Sequence, residues 1–196
     1  LALLNPETKV IALEQRLEGE ALAEQVAAAD VVLDCSDNFA TRHAINRACV
    51  AHRKPLVSGA AIRFDGQISV YDPRSGASPC YACVFPEAAA FEETRCATMG
   101  VFAPLVGIIG TLQAAEAIKL LCGIGTSLAG RLLMLDGRGM EFTEVRIARQ
   151  SSCAVCGALD SPGSTSWSRF NPAGVNSNTQ ANTSAMKKPI ASTPTS

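Results

Sequence analysis

The chain has 196 residues, of which 47% are hydrophobic and 5% aromatic, with a formal net charge of −1. That is room for one ordinary domain with an ample core. The near-neutral balance gives no case for nucleic acid or an anionic membrane as partner, and so few aromatic residues argue against a base-stacking platform.

The chain opens on Leu1 inside what reads as a helix-to-strand connection, as a fragment would. After the Asn5-Pro6 turn signal, residues 9–13 are β-prone. Residues 20–29 are rich in Ala, Leu, Glu and Gln and predict a helix. Val31-Val32-Leu33 is an apolar run ending at Asp34, as a buried parallel strand would. Residues 34–38 form a polar turn. A helix follows over 41–52, with Ile45, Ala48, Cys49 and His52 on one face. Residues 55–61 are again strand-like. Strand, helix, strand, helix, strand predicts a parallel α/β sheet.

The pattern then changes. Asp65-Gly66 is a hairpin-type turn, and Ile68 and Val70 alternate with polar neighbours, predicting antiparallel strands. A loop over 86–99 carries Cys96. The longest helix spans 103–121, with Pro104 in its first turn. Its polar residues Gln113, Glu116 and Lys119 form one narrow stripe, so it should be buried on most sides, within the domain or at a subunit interface. Its most apolar part, 101–112, is short of the ~18 residues that span a bilayer. Residues 131–147 predict a hairpin around Asp136-Gly137. Beyond Asp160, Ser, Thr, Asn and Pro make up more than half the chain and no acidic residue occurs. Such a segment should be disordered, which sets the boundary of an ordered part, 1–157, against a tail, 158–196.

Two Cys-x-x-Cys pairs frame the second half: Cys80 with Cys83, and Cys153 with Cys156. Each offers two thiolates on a tight turn, a spacing that lets both sulfurs reach one tetrahedral zinc. Together they make a closed four-sulfur site of the structural kind. The other reading is two redox-active or disulfide-bonded pairs; two pairs on turns flanked by Pro or Gly favour zinc. Cys35, Cys49 and Cys122 lie in apolar stretches and read as small buried hydrophobes. A reducing, cytoplasmic location fits this cysteine usage.

Asp37 and Asn38 follow an apolar strand and precede a helix. In an open α/β sheet that is the edge where ligands bind, and a carboxylate there can hold Mg²⁺ with a nucleotide. Asp37, Asn38 or Thr41 could instead simply cap the helix, and from spacing alone the cap is the stronger reading. Asp34 is the same case with a weaker claim. Cys96 stands beside Arg95, a cation that would raise its thiolate fraction. His43 and His52 read as surface or core residues, and Arg42 and Lys54 as solvated charges. No Gly-x-Gly-x-x-Gly and no Walker-type loop occurs.

The run Ala29-Asp30-Val31-Val32-Leu33-Asp34-Cys35-Ser36-Asp37-Asn38, the two cysteine pairs, Gly100 to Gly107 leading into Gly110-Thr111-Leu112-Gln113-Ala114, and Leu135-Asp136-Gly137 together resemble the ThiF/MoeB/HesA family, bacterial relatives of ubiquitin-activating enzymes. The thiamine-pathway branch looks nearest, the molybdopterin-pathway branch close behind. The resemblance covers roughly residues 1–157. It implies a Rossmann-like, mostly parallel sheet with added antiparallel strands and a four-cysteine zinc knuckle, the C-terminal part of an adenylating domain. It also implies a nucleotidyltransferase: ATP and Mg²⁺ adenylate the C-terminal glycine of a ubiquitin-like sulfur carrier, with a cysteine desulfurase as sulfur donor and a homodimer as the working form. By position, Asp37 would bind Mg²⁺, Asn38 would border the nucleotide, and Cys80, Cys83, Cys153 and Cys156 would bind zinc. Cys96 matches the cysteine that forms a sulfur linkage to the carrier in ThiF-like members; its counterpart in MoeB-like members is dispensable. The glycine-rich nucleotide loop and the Arg and Lys residues of the family's N-terminal half are not in this sequence. Two rivals share the fold: a non-catalytic, zinc-stabilised carrier-binding scaffold, and a fragment of an NAD-dependent dehydrogenase.

Overall fold

The computed structural model describes residues 3–87 and 99–157. The chain divides into two units, Leu1–Gly163 and Ser164–Ser196, and every described residue belongs to the first. The predicted tail, 158–196, lies outside the described residues.

The described elements run α1 (Gly19–Ala28), β1 (Val32–Asp34), α2 (Phe39–Ala51), β2 (Leu56–Ile62), β3 (Asp65–Tyr71), a short 3-10 turn (Pro73–Ser75), α3 (Tyr81–Val84), α4 (Ala103–Cys122), β4 (Arg131–Asp136) and β5 (Glu141–Arg146). The strands form one five-stranded sheet in sequence order, β1-β2-β3-β4-β5. The α/β class with added antiparallel strands holds. Among the described strands only β1 and β2 pair in parallel, and the other three strand pairings are antiparallel, so parallel strands are the smaller share here.

Alternation along the strands sorts the core onto two faces. One face carries Val57, Ile68 and Val70, packed with Leu112, Leu120 and Leu128. The other carries Leu56 and Tyr71, packed with Val26, Cys49 and Tyr81 under α1 and α2. Helix α4 closes the first face, where Leu105 and Ile109 meet Leu135.

Several sequence expectations need correction. Residues 9–13 form no strand, and Val10, Ile11 and Leu13 are exposed; no described segment supplies a partner for their backbone groups. Leu33 is exposed rather than buried, because β1 ends the described sheet and pairs on one side only. The β2–β3 turn is Arg63-Phe64, not Asp65-Gly66: Ile62 pairs with Asp65, and Arg63 takes φ +49°. That turn is tied down by main-chain bonds, from Phe102 N to Arg63 O at 2.7 Å and from Gly137 N to Phe64 O at 2.7 Å.

Helix α4 is the largest departure. Its polar stripe points inward: Gln113 and Glu116 are buried with Leu105, Ile109 and Ala117, while Val106, Ile118 and Leu121 are exposed. By length and composition alone the helix is apolar enough to cross a membrane. Its inward side is instead pinned to the domain. Glu116 accepts from Leu128 N at 2.8 Å, and Lys119 donates to Thr126 O at 2.9 Å, which folds residues 123–128 back over the helix end. Gly123, at φ +63°, lets the chain leave the helix in the left-handed conformation that a Cβ would disfavour.

Gly59 in β2 faces Gln113. A Cβ there would lie 2.4 Å from Gln113 Cδ, closer than van der Waals contact allows. Gln113 is held in place by hydrogen bonds and cannot swing clear. The Gly59→Ala change should therefore destabilise the fold by about 1–3 kcal/mol, the usual range for overpacking, read as a fall in the denaturant midpoint.

Candidate functional site

Two clusters stand out: the four cysteines, and the turn after β1. The first Cys-x-x-Cys opens α3, a single turn in which Cys83 N reaches Cys80 O at 3.0 Å. The second sits in a turn closed by Gly157 N to Cys153 O at 2.8 Å. Gly157 is required there, since an added Cβ would meet Cys153 O and Ser151 O at 2.5 Å.

The four sulfurs all lie within 4.8 Å of one another. Neighbouring pairs are Cys80–Cys83 at 4.0 Å, Cys80–Cys153 at 3.7 Å and Cys83–Cys156 at 3.4 Å. These are not disulfide distances, which are about 2.05 Å, and all four cysteines are free. A tetrahedron of sulfurs at about 2.3 Å from one ion has edges of about 3.8 Å, which matches. The set could hold a metal ion. Burial raises the pKa of Cys80 and Cys83. Burial opposes ionisation of Cys153 too, but the N–H groups of Cys156 and Val155 and the neighbouring thiols outweigh it and lower its pKa to about 7. A thiol ionised near neutral pH is the natural entry point for a cation.

The knuckle is anchored by side chains the sequence did not single out. Gln150 Nε2 donates to Cys83 O at 2.7 Å, and its backbone N–H approaches Cys83 Sγ at 3.5 Å. Arg149 donates to the carbonyls of Gly76 and Cys156. Buried Asn46 of α2 accepts from Tyr81 N at 2.9 Å, which joins the knuckle to the helix.

At the other end of α2, Asn38 Oδ1 accepts from Thr41 N at 2.8 Å. Asn38 is therefore the helix cap, and Asp37 is left exposed on the wall of a cleft. The cleft has a volume of ≈ 480 Å³ and is lined by Asp37, Asn38, Arg42, Gly59, Gln67, Tyr81, Val106 and Gln113, among others. Cys35 also lines it and is exposed, and Cys122 is exposed at the end of α4; of the three cysteines read as buried hydrophobes, only Cys49 is buried. Burial, with the Asp34 carboxylate second, pushes Cys49 up to about 12, so it is inert. Cys96 lies outside the described residues.

Beneath the turn lies a buried polar network. Asp34 is 1% exposed. Its Oδ1 accepts from Ser36 N at 2.9 Å and Ser36 Oγ at 2.7 Å, and its Oδ2 from Ser58 Oγ at 3.3 Å. Arg42 stands 3.9 Å from Asp34 Oδ2 and donates to the carbonyls of Ser36 and Gly59. Arg42 is thus buried rather than a solvated charge, because one turn beyond the cap it points back into the loop. Asp34 orders the loop from inside, where its own claim as a ligand residue was weaker. His43 is a core residue set edge-on to Tyr81 at 5.2 Å between ring centroids, with burial lowering its pKa; His52 is exposed.

A mixed α/β domain of Rossmann-like layout, with a ligand-sized cleft at the end of its parallel strands and a four-thiol cluster behind it, is the class that fold and site define. The ThiF family profile matches residues 1–155, and the chain belongs to that family. It is 50% identical over 157 residues to the sulfur carrier protein ThiS adenylyltransferase of Escherichia coli (strain K12), covering 80% of this chain and 61% of that protein. It is 43% identical over 160 residues to the molybdopterin-synthase adenylyltransferase of the same organism, covering 80% and 62%. The chain thus spans less than two thirds of the length of these relatives. The crystal structure of E. coli MccB with ATP shares the fold, with a TM-score of 0.64 and 19% identity over 80% of this chain and 48% of that one.

Two outcomes follow from this geometry. Replacing Cys156 by Ala should abolish stoichiometric metal binding and lower the thermal midpoint to that of the chelator-treated protein, measured by metal analysis and circular dichroism. Arg42→Met would leave the buried Asp34 carboxylate with its Ser36 and Ser58 donors but no compensating cation. It should cost about 3–5 kcal/mol, read by denaturant unfolding.

Proposed function

We propose that this chain is the C-terminal part of an enzyme that adenylates the C-terminal glycine of a ubiquitin-like sulfur carrier, for sulfur transfer in thiamine or molybdopterin biosynthesis. The observation that carries this reading is Asp37: a carboxylate freed from capping duty by Asn38, exposed on the cleft at the end of β1. Membership of a family whose curated relatives are named adenylyltransferases supports it.

In the proposed reaction, an oxygen of the carrier's terminal carboxylate attacks the α-phosphorus of ATP. The bond from that phosphorus to the bridging oxygen breaks, and pyrophosphate leaves. The carboxylate is already ionised, so the step asks no base of the chain. Its product, an acyl-adenylate, is a far better electrophile than the carboxylate. Asp37 would hold Mg²⁺, whose bound charge offsets that developing on the departing phosphates. Asn38 would border the nucleotide, with its side-chain oxygen committed to Thr41. Cys96 would take the sulfur linkage to the carrier, with a cysteine desulfurase as sulfur source.

The four thiolates would hold a structural zinc: the set is all sulfur, mostly buried, and leaves no open position for substrate. A reducing cytoplasm suits such a site. The exposed apolar side of α4, with Val106, Ile118 and Leu121, supports a homodimer.

In the whole protein, Asp37→Ala should abolish ATP–pyrophosphate exchange while carrier binding stays nearly intact by titration calorimetry. Persistent exchange in that variant would move the metal site to another residue, and a scaffold would show no exchange even in the parent protein. The 196-residue chain alone should show no exchange with a purified carrier, since its sequence holds no phosphate-cradling loop.

A further inference from the structure

Gln113 has no part in the reading above, yet it is 3% exposed and aimed at the cleft. Its Nε2 donates to the main-chain carbonyl of Asp34 at 2.9 Å and to that of Val57 at 3.3 Å. Its Oε1 faces the Cys35 thiol at 3.5 Å. The network fixes the amide orientation: nitrogen toward two carbonyls, oxygen toward a donor. Gly59 gives it room, as no residue with a Cβ could.

We propose that Gln113 is a positioning residue for Asp37, an inference that rests on the adenylation reading. β1 is three residues long and, among the described strands, pairs only with β2. Its last carbonyl belongs to Asp34, three residues before Asp37. Arg42 grips the loop from the α2 side of the sheet, through Ser36 O and Gly59 O. Gln113 grips it from the α4 side, through Asp34 O. The strand end is thereby clamped from both faces, and Asp37 leaves it in a set direction. Mg²⁺ demands near-octahedral ligands at about 2.0–2.1 Å, so a small shift of the carboxylate weakens its hold on the ion. Among the common side chains of this shape, only glutamine fits. Methionine takes the side-chain donor away from both carbonyls and leaves them only their strand neighbours, and ionised glutamate turns lone pairs on them.

The test uses the whole protein and reads ATP–pyrophosphate exchange against Mg²⁺ concentration, with the Mn²⁺ affinity of the nucleotide complex measured separately by electron paramagnetic resonance. Gln113→Met should raise half-saturating Mg²⁺ by about tenfold or more, with the carrier KM essentially unchanged. Gln113→Glu should show the same defect at neutral pH. It should recover relative to the parent protein as pH falls, because a protonated carboxyl regains one donor. It also serves if the Met variant fails to fold. A lowered melting temperature with unchanged Mg²⁺ and Mn²⁺ dependence and no pH recovery would overturn the proposal and leave Gln113 a packing residue. Asp37→Ala, run in parallel, separates the two ideas. If it keeps exchange, Asp37 is not the Mg²⁺ ligand and this inference falls with that assignment, whereas a parent protein without exchange would sink the adenylation reading itself. If it is dead while both Gln113 variants keep parental Mg²⁺ dependence, only this inference falls.

Discussion

Four sulfur atoms from residues 73 positions apart converge within 4.8 Å of one another, and much of the domain is arranged by that meeting. Thiols have little reason to gather this way for their own sake. They are weak hydrogen-bond partners, and two of the four are made harder to ionise by burial. A cation among them would turn the cost of closing so long a loop into a net gain, because its binding energy becomes folding energy. The closure brings the end of β5 back beneath α3, where Arg149 and Gln150 bind the carbonyls of both turns.

Helix α2 connects this cluster to the cleft. Asn38, Arg42 and Asn46 recur every fourth residue and so share one face. Asn38 caps the helix beside Asp37, Arg42 holds the loop before it, and Asn46 holds the backbone of Tyr81 next to Cys80. A single rigid element thus sets the distance between the thiol cluster and the carboxylate. The polar residues under the turn hydrogen-bond one another, which is the condition for a buried network to rigidify rather than destabilise.

Much of this was legible beforehand, where chemistry is local. Cys-x-x-Cys on a turn brings two thiols together wherever the chain goes. Val32 to Asp34, α2 and the Ile68/Val70 alternation follow from propensity and period. The β2–β3 turn was misplaced because Asp65-Gly66 carries the stronger local turn signal, while main-chain bonds to Phe102 and Gly137 hold Arg63-Phe64 in that role instead. Residues 9–13 have the composition of a strand, but a strand exists only with a neighbour to bond.

The sequence by itself determined most of the elements, the family and the two cysteine pairs, since each rests on short local patterns. It could not decide which side of α4 faces in, because both arrangements satisfy the same helical period. Only the tertiary structure turned Gln113 and Glu116 inward, where carbonyls at strand ends and a returning loop offered them partners. The same holds for Arg42: a positive charge next to polar residues reads as solvated until the fold encloses it with Asp34. Buried polar groups are chosen by distant partners, and those partners acquire neighbours only once the chain has folded.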